Sequence, residues 1–280
     1  QCGSLTRGSV FNYYLSPSVT GAYTRQWGDH FFKGMAGFQM ELQENSSEYM
    51  YKDGMLSEDI YSFDNANGTP YAAEARSHWA TMFARLNWNY RNIYFLEFSG
   101  RYDGSSRFAP DNRWGFFPSF SAGYDISRTP YFTKLNLPVS QLKVRVSYGR
   151  LGNQNGAGLY DYLGVMTLDP NNVNAWLLPG TGNKPAKGTI SLTPKMISPY
   201  ITWEKVDNAN IGLDLMLFDD RLSVTFDAYQ RTTKDMIGPA EAIPAVSGIV
   251  PDDRAKINNA TLRNRGWELS VNWQDKLKCG

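Results

Sequence analysis

Cysteine, histidine and long apolar runs are what this chain has least of, and each scarcity closes a class of function. Among 280 residues there are two cysteines, Cys2 and Cys279, at opposite ends. Metal, redox and disulfide frameworks need clustered or regularly spaced cysteines, so this pair signals none of them. A bridge between the ends and an unpaired thiol both remain open. The two histidines, His30 and His78, stand apart from any Ser, Cys or carboxylate arrangement that would make a triad or a metal site. No apolar run approaches the roughly 18–20 residues that a membrane helix requires. Charge of one sign is lacking too: 28 Lys+Arg face 27 Asp+Glu, which leaves no electrostatic footprint for nucleic acid. A Gly-rich phosphate loop between strand and helix is missing, and no cofactor is expected. The opening residues Gln1-Cys2-Gly3-Ser4 show no charged and then apolar leader pattern.

What the chain has is aromatics and alternation. Tyr, Phe and Trp number 17, 15 and 8. From Gln141 to Arg150 the residues Leu142, Val144, Val146 and Tyr148 alternate with Lys143, Arg145, Ser147 and Gly149, a strand with one apolar and one wet face. The same beat predicts strands over Ser18–Trp27, His30–Gln43, Trp79–Tyr90, Ile93–Asp103, Phe116–Ser127, Gln141–Arg150, Ile201–Phe218, Arg221–Thr232 and Leu262–Gln274. In the third of these only Phe83 breaks the pattern, sitting among Thr81, Arg85, Asn87 and Asn89.

The connections alternate in length. Gly28-Asp29, Arg91-Asn92 and Asp219-Asp220 are hairpin-sized, and the intermediate link 128–140 falls where a short one is due. Between them lie long polar stretches over 44–78, 104–115, 151–200 and 233–261. Bacterial membrane barrels pair short periplasmic turns with long extracellular loops, so the rhythm assigns sidedness. Trp27, Trp88, Tyr90, Tyr94 and Trp273 gather at short-turn ends, where an interfacial aromatic girdle belongs. The expected fold is all-β: about nine antiparallel strands of a transmembrane β-barrel wall, odd in number and too few to close around the loops they carry.

Specific motifs agree. Arg101-Tyr102-Asp103-Gly104-Ser105-Ser106-Arg107-Phe108, then Asp111-Asn112-Arg113-Trp114-Gly115-Phe116-Phe117-Pro118-Ser119, closely resembles the barrel signature of the SusC/RagA family of TonB-dependent outer-membrane transporters of Bacteroidetes. Four more blocks follow in that family's order: Leu142 to Gly149 with Gly152-Asn153-Gln154; Trp203-Glu204 with Asn210 to Asp214; Arg221 to Tyr229 with Thr233 to Met236; and Asn264 to Leu269. The match is strongest over 85–274 and only one of style over 1–78, so the whole of 1–280 reads as barrel. The resemblance implies a plugged barrel of about 22 strands. It also implies a SusD-like surface lipoprotein partner, energy supplied through the TonB complex, and glycans or oligopeptides as cargo. Plug domain, TonB-contacting segment and aromatic final strand are not found, so TonB would act through a region this sequence lacks.

If the parity holds, the wet face lines a lumen with Glu97, Arg101, Asp103, Lys143, Arg145, Asp227, Arg231 and Glu268, while the apolar face meets outer-membrane lipid. For each wet-face residue, pairing with a neighbour or with a plug is the plainer role. Asp103 and Arg107 could grip substrate at a loop base; turn chemistry, with Asp103 accepting from the Ser105 or Ser106 amides, explains the same residues without a ligand. Tyr160, Tyr162 and Trp176 in the 151–200 loop suit stacking on sugar rings and equally suit docking of a lipoprotein. A glycosidase needs facing carboxylates. Strand parity instead separates Asp207 from Glu204 and Asp214, and no catalytic pair is expected. The competing reading is a soluble all-β carbohydrate-binding module or lectin, in which the aromatics form core and platform.

Overall fold

The computed structural model describes residues 5–52, 70–135, 137–164, 168–169, 177–179, 185–187, 190–191, 196–239, 244 and 254–275. Its strands, in chain order, are β1 Leu5–Leu15, β2 Ser18–Trp27, β3 His30–Lys52, β4 Pro70–Tyr90, β5 Tyr94–Ser105, β6 Trp114–Asp125, β7 Val139–Asn153, β8 Leu168–Asp169, β9 Leu177–Pro179, β10 Pro185–Lys187, β11 Ile190–Ser191, β12 Glu204–Leu217, β13 Leu222–Pro239 and β14 Lys256–Trp273. The short β8–β11 make two small pairs within the longest connection. The other ten form one antiparallel sheet.

Ten segments occupy nine positions across that sheet, because β1 and β2 lie end to end along β3. Leu15 faces Leu42 and Ser18 faces Gln39, so the register runs unbroken past Ser16-Pro17. Pro17 has no N–H to donate, but its carbonyl accepts from the Met40 amide at 3.0 Å. The expected strand over Ser18–Trp27 is therefore the lower half of a longer one. The upper half was not legible because Tyr13 and Tyr14 place aromatics on both faces.

Hairpin ends use left-handed backbone. Gly28 has φ 56°, Arg91 and Asn92 have 52° and 54°, and Asp219 and Asp220 have 53° and 66°. The Asn89 side chain accepts from the Asn92 amide at 2.8 Å, and the Asp29 carboxylate accepts from Arg91 at 2.6 Å. The intermediate link is a 3₁₀ turn, Ile126–Arg128, and one helical turn, Pro130–Thr133. Buried Asp125 ties it down by accepting from Ser127 and pairing with Arg128 at 3.1 Å.

At the other end the strands rise well beyond a bilayer. β3 has 23 residues and β4 has 21, whereas about 9–11 tilted residues suffice to cross. The expected loop 44–78 is thus strand over 44–52 and 70–78, pairing Glu44 with Arg76 and Ser46 with Glu74. Both faces meet water there, so no apolar period marks it. The same effect carries β13 to Pro239 and starts β14 at Lys256.

Among the described residues a conventional core is nearly absent. The buried apolar cluster of Phe108, Phe117, Ala157, Ile201 and Trp203, with Trp79 and Ile237 against it, lies under the loop bases at the long-loop end.

Candidate lumen-lining face

The register shows which side chains share a face. Tyr94, Leu96, Phe98 and Tyr102 of β5 face Tyr124, Ala122, Phe120 and Phe116 of β6. Leu213 and Ile211 of β12 face Val144 and Val146 of β7 on one side and Phe226 and Ala228 of β13 on the other. These rows form a continuous apolar face, and it is bare: Leu86 is 47% exposed, Phe98 52%, Ile211 55% and Trp267 69%. Soluble modules rarely leave so broad an apolar face uncovered. At its short-turn edge the rings run strand to strand, with Trp27 on Phe32 at 5.5 Å, His30 on Tyr90 at 4.6 Å, Tyr90 on Tyr94 at 6.3 Å and Tyr94 on Tyr124 at 5.0 Å. That is the expected girdle.

The opposite face is polar and largely self-paired. Its central feature spans three strands. Arg145 of β7 donates to both carboxylate oxygens of Asp214 on β12, at 2.7 and 3.0 Å, and reaches Asp227 on β13 at 3.3 Å. Gly212 makes the reach possible. A Cβ there would stand 2.6 Å from the Asp227 carboxylate and 2.8 Å from the Arg145 guanidinium carbon. Nearby, Glu97 pairs with Arg85 at 3.6 Å, and the Lys143 ammonium sits 4.4 Å from the centre of the Phe95 ring. A depression of about 600 Å³ is bordered by Lys33, Asn87, Glu97, Ser121, Lys143 and Arg145. Phe83, the exception to β4's pattern, faces Gly37 in register, its ring where a Gly37 side chain would be.

Higher on this face Asp103 is buried, accepting from the Thr81 hydroxyl and pairing with Arg101 at 3.2 Å. The expected bonds from the Ser105 and Ser106 amides are not its role. Ser105 Oγ accepts from the Arg107 amide at 3.2 Å, and Ser106 exchanges bonds with the His78 backbone. Gly104 belongs to β5 rather than to a turn, because Trp114 lies over it and stacks on Tyr102 at 5.0 Å.

Two predicted residues differ from these. Arg231 faces Asn208 and Glu268 faces Asp227, and neither has a polar partner among the described residues. The loop candidates divide as well. Arg107 donates to the Ala157 carbonyl at 2.8 Å, and the Tyr160 hydroxyl binds the Arg76 backbone, donating at 3.3 Å and accepting at 3.1 Å. Both fasten the start of the long connection to the sheet. Asp161 adds an ion pair to Lys256 at 2.9 Å. Tyr162 makes no polar contact among the described residues, and Trp176, Cys2 and Cys279 lie outside them.

Sequence reasoning weighed Asp207 only as a catalytic carboxylate and missed its ion-pair role. It sits beyond Ala209, the last apolar position of its row on β12, and is buried. Arg150 donates to it at 2.7 and 3.2 Å, Tyr148 at 3.2 Å, and Lys234 pairs with it at 2.9 Å. The Arg150 bonds, helped by Lys234 and opposed by burial, hold its carboxyl down to about 2. Glu204, on the other face, accepts from Asn153 at 2.6 Å and from the Ile237 amide at 2.9 Å. The carboxylates weighed for hydrolysis are thus each held by neighbours within the wall. Among the described residues no cluster of His, Cys, Asp and Glu could hold a metal ion.

The family model for the TonB dependent receptor-like β-barrel matches residues 3–278. The chain belongs to that family. Its described strands form outer-membrane barrel wall, a sheet open at both edges. It is 29% identical over 272 residues to the TonB-dependent receptor SusC of Bacteroides thetaiotaomicron, covering 94% of this chain and 25% of that protein. To the TonB-dependent receptor P39 of Formosa agariphila it is 29% identical over 258 residues, covering 89% and 23%. The chain thus spans about a quarter of the length of these relatives. The RagAB peptide importer in its closed-closed state superposes with a TM-score of 0.79 at 25% identity, over 97% of this chain and 29% of the importer chain. The RagAB peptide transporter gives 0.80 at 24%, over 98% and 29%.

Proposed function

We propose that the chain supplies wall strands and extracellular loops to a TonB-dependent transporter that imports glycans or oligopeptides, without catalysing a reaction on them. One observation carries this reading. The sheet sets an uncovered apolar face against a face whose charges are mostly satisfied within the wall, as in Arg145–Asp214–Asp227, Arg101–Asp103 and Arg85–Glu97. Such a lining hydrates a passage without gripping a polar solute, because its strong donors and acceptors already hold one another. A SusD-like lipoprotein would meet the long-loop end, and the TonB complex would act from the opposite side through segments beyond this chain. RagAB is a peptide importer, which favours oligopeptides as the cargo tested first.

The test is a clean deletion of the encoding gene, followed by growth on defined oligopeptides and on defined oligosaccharides as sole source. Loss of growth on one class, restored by the intact gene, supports import. Unchanged growth and uptake on both classes would contradict it.

A further inference from the structure

The apolar outward face of β7, β12, β13 and β14 ends along a line, and just beyond that line it becomes basic. Going up from the short turns, Leu142, Val144, Val146 and Tyr148 on β7 give way to Arg150. In the same rows Ala209 is followed by Asp207 and Lys205 on β12, Ala228 by Gln230, Thr232 and Lys234 on β13, and Trp267 by Arg265 and Arg263 on β14. The register ties the levels together. Tyr148, Ala209, Gln230 and Arg265 form one cross-strand row, and Arg150, Asp207, Thr232 and Arg263 form the next. With outward steps of about 7 Å and strands about 4.8 Å apart, the patch measures about 15 Å each way.

Its charge is not balanced. Five cations, Arg150, Lys205, Lys234, Arg263 and Arg265, meet two carboxylates, Asp207 and Asp235. Lys234 and Arg150 share Asp207, and Lys205 takes Asp235 at 2.9 Å. Arg265 has only the Gln230 side-chain oxygen, at 2.8 Å, and Arg263 has no polar partner among the described residues. Both arginines are exposed, directly above exposed Trp267. Excess cation at the upper rim of a lipid-facing band calls for an anion from the headgroup layer, and arginine forks match phosphate oxygens.

We propose that this patch binds the phosphate of an outer-leaflet glycolipid, with Trp267 against its sugar or acyl base. The inference rests on the outward and extracellular assignment of these rows. The outer leaflet of such a membrane is phosphorylated glycolipid, which singles that lipid out over phospholipid.

The test uses the full-length transporter in detergent, native mass spectrometry, and monophosphoryl lipid A as the probe. Wild type is expected to retain the lipid, and to retain about tenfold less of it after phosphatase treatment or when phosphatidylglycerol is offered instead. The variant K234Q/R263Q/R265Q should lose about tenfold, whereas R263K/R265K, which keeps the charge without the fork, should lose less. Equal retention by the glutamine variant, or of the dephosphorylated lipid, overturns the site; equal retention of phosphatidylglycerol overturns the glycolipid assignment. Should the glutamine variant not fold, the lipid comparisons on wild type still decide. Quenching of Trp267 by brominated lipid is read in parallel, so that failure of the outward assignment is seen separately.

Discussion

At the scale of single residues, the wall is built from side chains that reach across strands and glycines that let them. Arg145 needs Gly212 to reach Asp227, and Trp114 needs Gly104 to lie flat beside Tyr102. Replacing Arg145 with Met strands two carboxylates and is expected to cost the full barrel about 1–3 kcal/mol, measured by urea unfolding in lipid vesicles. Glu268→Gln, at a position with no partner here, should stay within about 0.5 kcal/mol. Asp207 gives a pH signature. Its folded pKa of about 2 lies below the unfolded value, so its contribution is complete above about pH 4 and fades as pH falls toward 2. Asp207→Asn should lower stability at neutral pH and flatten the pH dependence between 4 and 2; an unchanged slope contradicts the assignment. The candidate site was legible here as residue types on one face. The partners were not, because Asp103 bonding Thr81 and Arg145 bonding Asp214 depend on neighbours 22 and 69 residues away.

At the scale of strands, alternation was readable wherever one face met lipid and failed wherever both met water. That is why the predicted ends on the short-turn side agree closely, Trp27 and Tyr90 among them, while β3 runs nine residues past its expected end at Gln43. β1 escaped for a related reason, with Tyr13 outward, Tyr14 inward and Pro17 interrupting the bonding. Parity itself yields a sharp expectation. Arg in place of Leu96 or Val144 should cost about 2–4 kcal/mol near the bilayer midplane, and Arg in place of Ser147 should be tolerated. Equal sensitivity in refolding assays at both kinds of position would sink the inside and outside assignment.

At the scale of the whole molecule, the sheet has two open edges, along β1 and β2 and along β14, and almost no core. An edge that long, backed by an apolar face, pairs with whatever strand it meets. The isolated chain is therefore expected to associate in plain buffer, and a monodisperse, native-like β protein by size exclusion would count against the wall. The resemblance in sequence located the barrel through local motifs such as Arg113-Trp114-Gly115, whose residues fasten the loop base: Arg113 O accepts from Trp203 at 2.9 Å. Cargo was not legible, since a lining whose charges are mostly paired carries little chemical demand for one solute.

The most direct measurement is a cysteine scan from Leu142 to Tyr148 in an otherwise cysteine-free full-length transporter, in native outer membranes. Lys143, Arg145 and Ser147 positions are predicted to react with a water-soluble thiol reagent, while Leu142, Val144, Val146 and Tyr148 react only with a lipid-soluble one. Uniform reactivity along the strand, or the reverse phase, would contradict the account.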